Sequence, residues 1–165
     1  MVSIDIQRIK LKIQEEGIIT NEPISINEIT NFENSNNFSL PEELVLFYTE
    51  IGNGCEMIDG FYLKKLEELE FDENRVKEDF IFTRYWIWED NENKDLFDKV
   101  GSGNIELINV GDSQSWNIII TGGERGQMWF FTDVGIQPCA PKRSFLSWFE
   151  HWLDGNDNYF EEFQL

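Results

Sequence analysis

Apolar positions along this chain recur at two periods, and the switches between them mark out its elements. Ile6, Ile9 and Ile13 share one face at helical spacing, which predicts a first helix with Ser3 as N-cap and Gly17 as its stop. Residues 18–38 are Asn-rich and polar, with Ile24, Ile26 and Ile29 interspersed, and predict a loop holding at most one short element. A second helix is expected to open on Leu40-Pro41. Ser39 and Glu42 have capping-box spacing, and Pro41 fits the first turn, where a missing N–H costs nothing. Leu44, Phe47, Tyr48 and Ile51 form its apolar stripe, and Gly52-Asn53-Gly54 ends it.

The period then shortens. Phe61-Tyr62-Leu63 predicts a short strand, and Leu66 and Leu69 a short helix. A strand is expected over 81–88, a run rich in aromatic and β-branched residues. Trp86 and Trp88 share one of its faces, and Tyr85 and Ile87 the other. Both faces are apolar, so either the strand is central or one face binds a partner. The polar stretch 89–104 predicts an exposed loop. Strands follow at 105–110 and 116–120, then the turn Gly122-Gly123-Glu124-Arg125-Gly126, a returning strand at 127–132 and a short one at 135–139. After Ser144, an expected N-cap, Phe145, Trp148, Phe149, Trp152 and Leu153 repeat at i, i+3, i+4, i+7 and i+8, the mark of a helix packed on a sheet. No internal repeat or Pro/Ser-rich linker interrupts this order, so a single α+β domain over 1–165 is the expectation.

Composition sharpens this picture. The chain has 165 residues, 41% of them hydrophobic and 15% aromatic, which argues for a packed core. Thirteen basic residues stand against 32 acidic ones, a net charge of −19. Eight acids and no Lys or Arg fall within 21–60, so the negative field belongs to the body of the domain. Such a surface repels phosphates and anionic membranes and favours basic partners, although strong charge also serves solubility alone. The N-terminal stretch has no continuous apolar core and no run approaches a membrane span, so a cytoplasmic protein is expected, with no nucleic-acid or membrane partner.

Candidate chemistry is sparse. Cys55 and Cys139 have neither metal spacing nor a CxxC arrangement, and are expected to be reduced thiols. His151, the sole histidine, lies off the apolar stripe and is expected at a solvated rim. Gly111-Asp112-Ser113-Gln114-Ser115 begins like a nucleophile elbow but ends in Ser115, and predicts a turn. Asp90 through Asp95 starts like a calcium loop, yet Lys94 and Asp95 occupy positions where a ligand and a glycine are needed. The Gly122–Gly126 stretch is neither a dinucleotide fingerprint nor a P-loop. The expectation is no catalytic residue, no metal and no cofactor. An acidic loop carried on a rigid strand is where a basic partner would dock, which singles out Trp86, Trp88, Glu89, Asp90, Glu92, Asp95 and Asp98.

Several stretches, taken in order, resemble the SUKH superfamily of Smi/Knr-like proteins. Leu40-Pro41 through Ile51-Gly52-Asn53-Gly54 is similar to its Leu-Pro helix closing in Asn-Gly. The segment 63–69 resembles the strand and short helix that follow. Ile108-Asn109-Val110-Gly111-Asp112 resembles its Ile-Gly strand, Gly126-Gln127-Met128-Trp129-Phe130 the strand after its glycine turn, and Ser144-Phe145 through Leu153 its closing helix. The likeness covers about 38–155. It departs from the pattern at Asp112–Ser115, where the family is glycine-rich, and in the long 89–104 region. The resemblance implies an α+β fold with a central, mostly antiparallel sheet flanked by helices, and no catalysis. Bacterial members are commonly antitoxins, bound to toxin domains that are often nucleases.

Charge and resemblance together lead to the expectation of an immunity protein that neutralises a basic toxin through an acidic surface. A regulatory scaffold of the fungal cell-wall type is the alternative. An enzyme working through carboxylates alone is a third possibility that nothing in the pattern singles out.

Overall fold

The computed structural model describes residues 2–88 and 93–161. The order of elements is α1 (Val2–Glu16), α2 (Ile26–Asn36), α3 (Glu42–Leu46), β1 (Cys55–Glu56), β2 (Tyr62–Leu63), β3 (Trp86–Ile87), α4 (Lys94–Lys99), β4 (Asn104–Gly111), β5 (Gln114–Ile119), β6 (Met128–Phe131), β7 (Gly135–Pro138) and α5 (Phe145–Leu153). One sheet has five antiparallel strands in the order β3-β7-β6-β5-β4, and β1 and β2 pair separately. The architecture is α+β. Among the described residues no helix is long and apolar enough to cross a membrane.

Strand alternation divides the large sheet into two covered faces. On the first, Trp116, Ile118, Met128 and Phe130 meet Ile6, Ile9 and Ile13 of α1, Leu44 of α3, and Phe145, Trp148 and Phe149 of α5 in the main core. On the second, Ile119, Trp129 and Ile136 are covered by Phe80 and Phe82, with Trp86, Trp88, Leu96 and Val100 packed against them. That second layer comes from the segment between β2 and β4, which also supplies its polar ties. Ser115 Oγ donates to Asn117 Oδ1 (2.7 Å), Asn117 Nδ2 to Asn104 Oδ1 (2.8 Å), and Asn104 Nδ2 to the carbonyls of Val100 and Ser102. The buried Ser115 and Asn117 of β5 are thus paired, as groups withdrawn from water must be.

Several local expectations are corrected. The 18–38 segment carries α2, capped by the Ser25 hydroxyl accepting from the Glu28 amide (3.2 Å) and closed by Asn37 in the left-handed region (φ 58°). The Ser39–Glu42 capping box does not form. Pro41 is itself the N-cap, and the Ser39 hydroxyl accepts from Arg125 Nη2 instead (3.1 Å). After Leu46 the helix widens into a π-type turn over Phe47–Ile51, which keeps Phe47, Tyr48 and Ile51 buried. The strand expected over 81–88 shrinks to Trp86–Ile87, and the 89–104 loop contains α4. The cap assigned to Ser3 lies outside the described side chains.

The hairpins follow their turn chemistry. Asp112 (φ 53°) and Ser113 (φ 61°) both take positive φ between β4 and β5, as a two-residue type I′ turn requires. Helix α5 starts at Ser144 in extended geometry, but its first turn is capped from outside, by Glu43 Oε1 accepting from the Leu146 amide (2.9 Å). The carboxylate of α3 thereby faces the positive end of the α5 dipole.

Candidate functional site

β3 lies at the edge of the sheet, not in its centre, and its half-buried Trp86 and Trp88 face the second core. Trp86 stacks on Phe82 (5.5 Å, 30°), and Trp88 lies 5.7 Å from Trp86 and edge-on to Phe97 (5.2 Å), so both indoles close the second core. Trp88 Nε1 donates to the Asp133 carbonyl (2.9 Å). The outward residues of this edge are Tyr85, Ile87 and, from the β6–β7 turn, Val134, all exposed. Of the acids expected to attract a partner, Glu89, Asp90 and Glu92 lie outside the described residues. Asp95 and Asp98 are exposed on α4, which Asn93 caps through the Leu96 amide (3.1 Å). Lys94 and Lys99 are exposed on the same helix, so its own charge is balanced.

The histidine and both cysteines are engaged in packing. His151 is not at a rim. It is 8% exposed, its Nε2 lies 2.7 Å from the Asn158 carbonyl, and its ring lies 4.9 Å from that of Tyr159. The chain beyond α5 folds back over it, which helical periodicity could not reveal. Both thiols are buried and unpaired to each other, and burial pushes Cys55 and Cys139 up to about 12, far from the thiolate a nucleophile needs. In the glycine turn, Glu124 is buried and accepts from Lys142 Nζ (2.8 Å) and Trp129 Nε1 (3.3 Å). Arg125 Nη1 donates to the Ile120 carbonyl (2.6 Å). Both charges of that turn hold the fold together. Among the described residues no group of three His, Cys, Asp or Glu is placed to hold a metal ion.

α1 and α5 are joined by a charged staple beside a polar cleft of ≈ 370 Å³. Arg8 grips Glu150 in bidentate fashion (2.6 and 2.7 Å), and Lys12 bridges Glu150 and Asp154 (2.7 Å each). The Arg8 hydrogen bonds, then those of Lys12, hold the Glu150 carboxyl down to about 2. A depressed acid stabilises the fold above its unfolded value near 4.3 and loses that contribution as pH falls through its folded value. Glu150→Gln is therefore expected to cost about 1 kcal/mol near neutrality, because the cations remain partly solvated. The gap from wild type should close between pH ~4.5 and ~2, where wild type loses the same interaction. Urea titrations of both proteins across that range check it, and a gap that is constant with pH would contradict it.

A second cleft opens at the far end of the α5-bearing face. Of the five stripe positions on α5, four are buried and Trp152 is only half-buried. It joins Phe61, Trp116, Phe130, Tyr159 and Phe160 around a space of ≈ 460 Å³. Trp116 and Phe130 are cross-strand partners on β5 and β6 (4.9 Å), Tyr159 lies 4.9 Å from Trp116, and Phe160 is parallel to Trp116 (6.0 Å, 6°). Sequence reasoning missed this site, since its walls come from the 58–61 turn, the sheet, α5 and the returning tail.

No family model, curated protein or solved structure matches the chain.

Proposed function

We propose that this chain is a non-catalytic immunity protein that binds a basic toxin and neutralises it by occlusion. The observation that carries the reading is its charge of −19, spread over a fold whose histidine and thiols are packed into the interior. Sites that cleave phosphodiesters must attract phosphate and so tend to be basic, and an acidic surface both finds such a site quickly and covers it. The resemblance to the SUKH superfamily supports the same reading. Its five stretches fold in order as helix, strand with a short 3₁₀ turn, strand, strand and helix. The partner is thus a toxin with a basic, nuclease-type active site, and inhibition makes or breaks no covalent bond.

The test is co-expression with the product of the neighbouring gene, followed by stopped-flow association of the purified pair. Changing Glu89 and Glu92 to Gln together with Asp90, Asp95 and Asp98 to Asn is expected to slow association by about tenfold and to flatten its salt dependence, with little change in dissociation. An unaltered association rate would mean that the acids of 89–98 do not attract the partner. A neighbouring product that neither harms cells nor binds the chain would remove the function.

A further inference from the structure

We infer that the aromatic cleft between the 58–61 turn, β5, β6 and the end of α5 receives an arginine side chain of the basic partner. This rests on the reading of the chain as a module for basic proteins, and adds the place and the side chain. Two independent features of the cleft point the same way. Its walls are aromatic, and π-faces attract a cation laid over them. Its polar lining includes two carboxylates, Asp59 and Asp157, both exposed, and no Lys, Arg or His.

Asp59 is carried out from the body on the tight turn Ile58–Gly60, where it takes a left-handed conformation (φ 51°). Asp157 sits on the tail that Tyr159 and Phe160 anchor against Trp116. The acids therefore sit on two separate supports, while the rings line the space they share. Among cationic side chains arginine suits this setting best. Its guanidinium is planar, stacks on rings, is weakly hydrated and can engage carboxylates through several N–H groups. A lysine ammonium would lose more hydration for less stacking. An uncharged apolar side chain would leave both carboxylates without a partner at the rim. The partner is a protein and not an anionic polymer, because a chain of charge −19 repels the latter.

The probe is a blocked pentapeptide, Gly-Gly-Arg-Gly-Gly, compared with its twin carrying citrulline, which has the same shape without the charge. Each is titrated into the millimolar range while two-dimensional NMR follows the indole N–H signals of Trp116 and Trp152 and the amides of Phe61 and Asp157. The arginine peptide is expected to give saturable shifts at these positions, with the citrulline peptide about fivefold weaker or worse. Asp59→Asn with Asp157→Asn is expected to weaken the arginine peptide by about fivefold, and Trp152→Ala by a similar factor. Asp95→Asn with Asp98→Asn should leave it unchanged. Equal response to both peptides, shifts confined to α4, or no saturable shift would each overturn the inference. Toxin binding that survives the cleft variants without any peptide response would sink the cleft and leave the immunity reading intact. Peptide binding at the cleft by a chain that captures no toxin would do the reverse.

Discussion

Trp148→Ala is expected to cost about 3–5 kcal/mol, the range for emptying a large aromatic site in a core. The indole has no exposed surface, and it lies 5.6 Å from Trp116, 5.8 Å from Phe145 and 6.2 Å from Tyr159. It is the point where α5, the first sheet face and the returning tail meet. The neighbours are rings fixed by other contacts, so they cannot collapse into the void, and the loss should lie toward the upper end. For a chain of this length the melting temperature should fall by roughly 6–20 °C. Trp148→Phe keeps a ring in the site and should recover most of the loss. Urea unfolding of the three proteins decides the matter. A loss below about 1 kcal/mol for the alanine variant would mean that the site is open or adaptable.

Gly103→Ala is expected to be nearly as damaging, through backbone rather than side-chain packing. Gly103 has φ +64°, and a Cβ there would lie 2.5 Å from the Glu78 carbonyl, 2.6 Å from the Phe80 nitrogen and 2.8 Å from the Thr121 carbonyl. Three segments cross at this point. The Gly103 carbonyl accepts from the amides of Ile120 (2.7 Å) and Thr121 (3.2 Å), and the Phe80 amide donates to Thr121 (2.8 Å). Left-handed strain alone costs on the order of 1–3 kcal/mol, and forcing the crossing apart adds to it. The total should reach about 2–4 kcal/mol, with the second core loosened as Phe80 shifts from its place 4.8 Å from Trp129. Gly123→Ala is the control, since a Cβ there meets nothing within 4 Å. It should stay within about 0.5 kcal/mol of wild type. Near-UV circular dichroism and urea titration separate the two variants, and equal behaviour would contradict the crossing.

Elements whose apolar period survives in their packing were legible before the fold was known. Ile6, Ile9 and Ile13 of α1, the hairpin strands β4, β5 and β6, and the α5 stripe all lie where their spacing predicts. Elements held by few apolar contacts were not. In α2, Ile29 is buried and Phe32 packs on the core while Ile26 is exposed, so its stripe is only two residues long; its other local signal is Ser25 followed by Glu28. The same spacing at Ser39 and Glu42 is a decoy, because a residue far along the chain, Arg125, takes the Ser39 hydroxyl. The aromatic run at 81–88 has the composition of a strand, but it covers a sheet face more than it pairs, so only Trp86–Ile87 joins the ladder. His151 and the aromatic cleft depend on the tail after α5 turning back, a long-range event with no signature in local periodicity.

The central claim is that this acidic surface neutralises a basic toxin. The most direct measurement is growth of cells expressing the neighbouring gene's product, with and without this chain. It should be joined to the stoichiometry and salt dependence of the complex recovered from them. Restored growth is predicted, with a defined complex whose association slows steeply as salt rises. A chain that rescues nothing and binds nothing there, or that instead turns over a substrate through one or two identifiable side chains, would contradict the account.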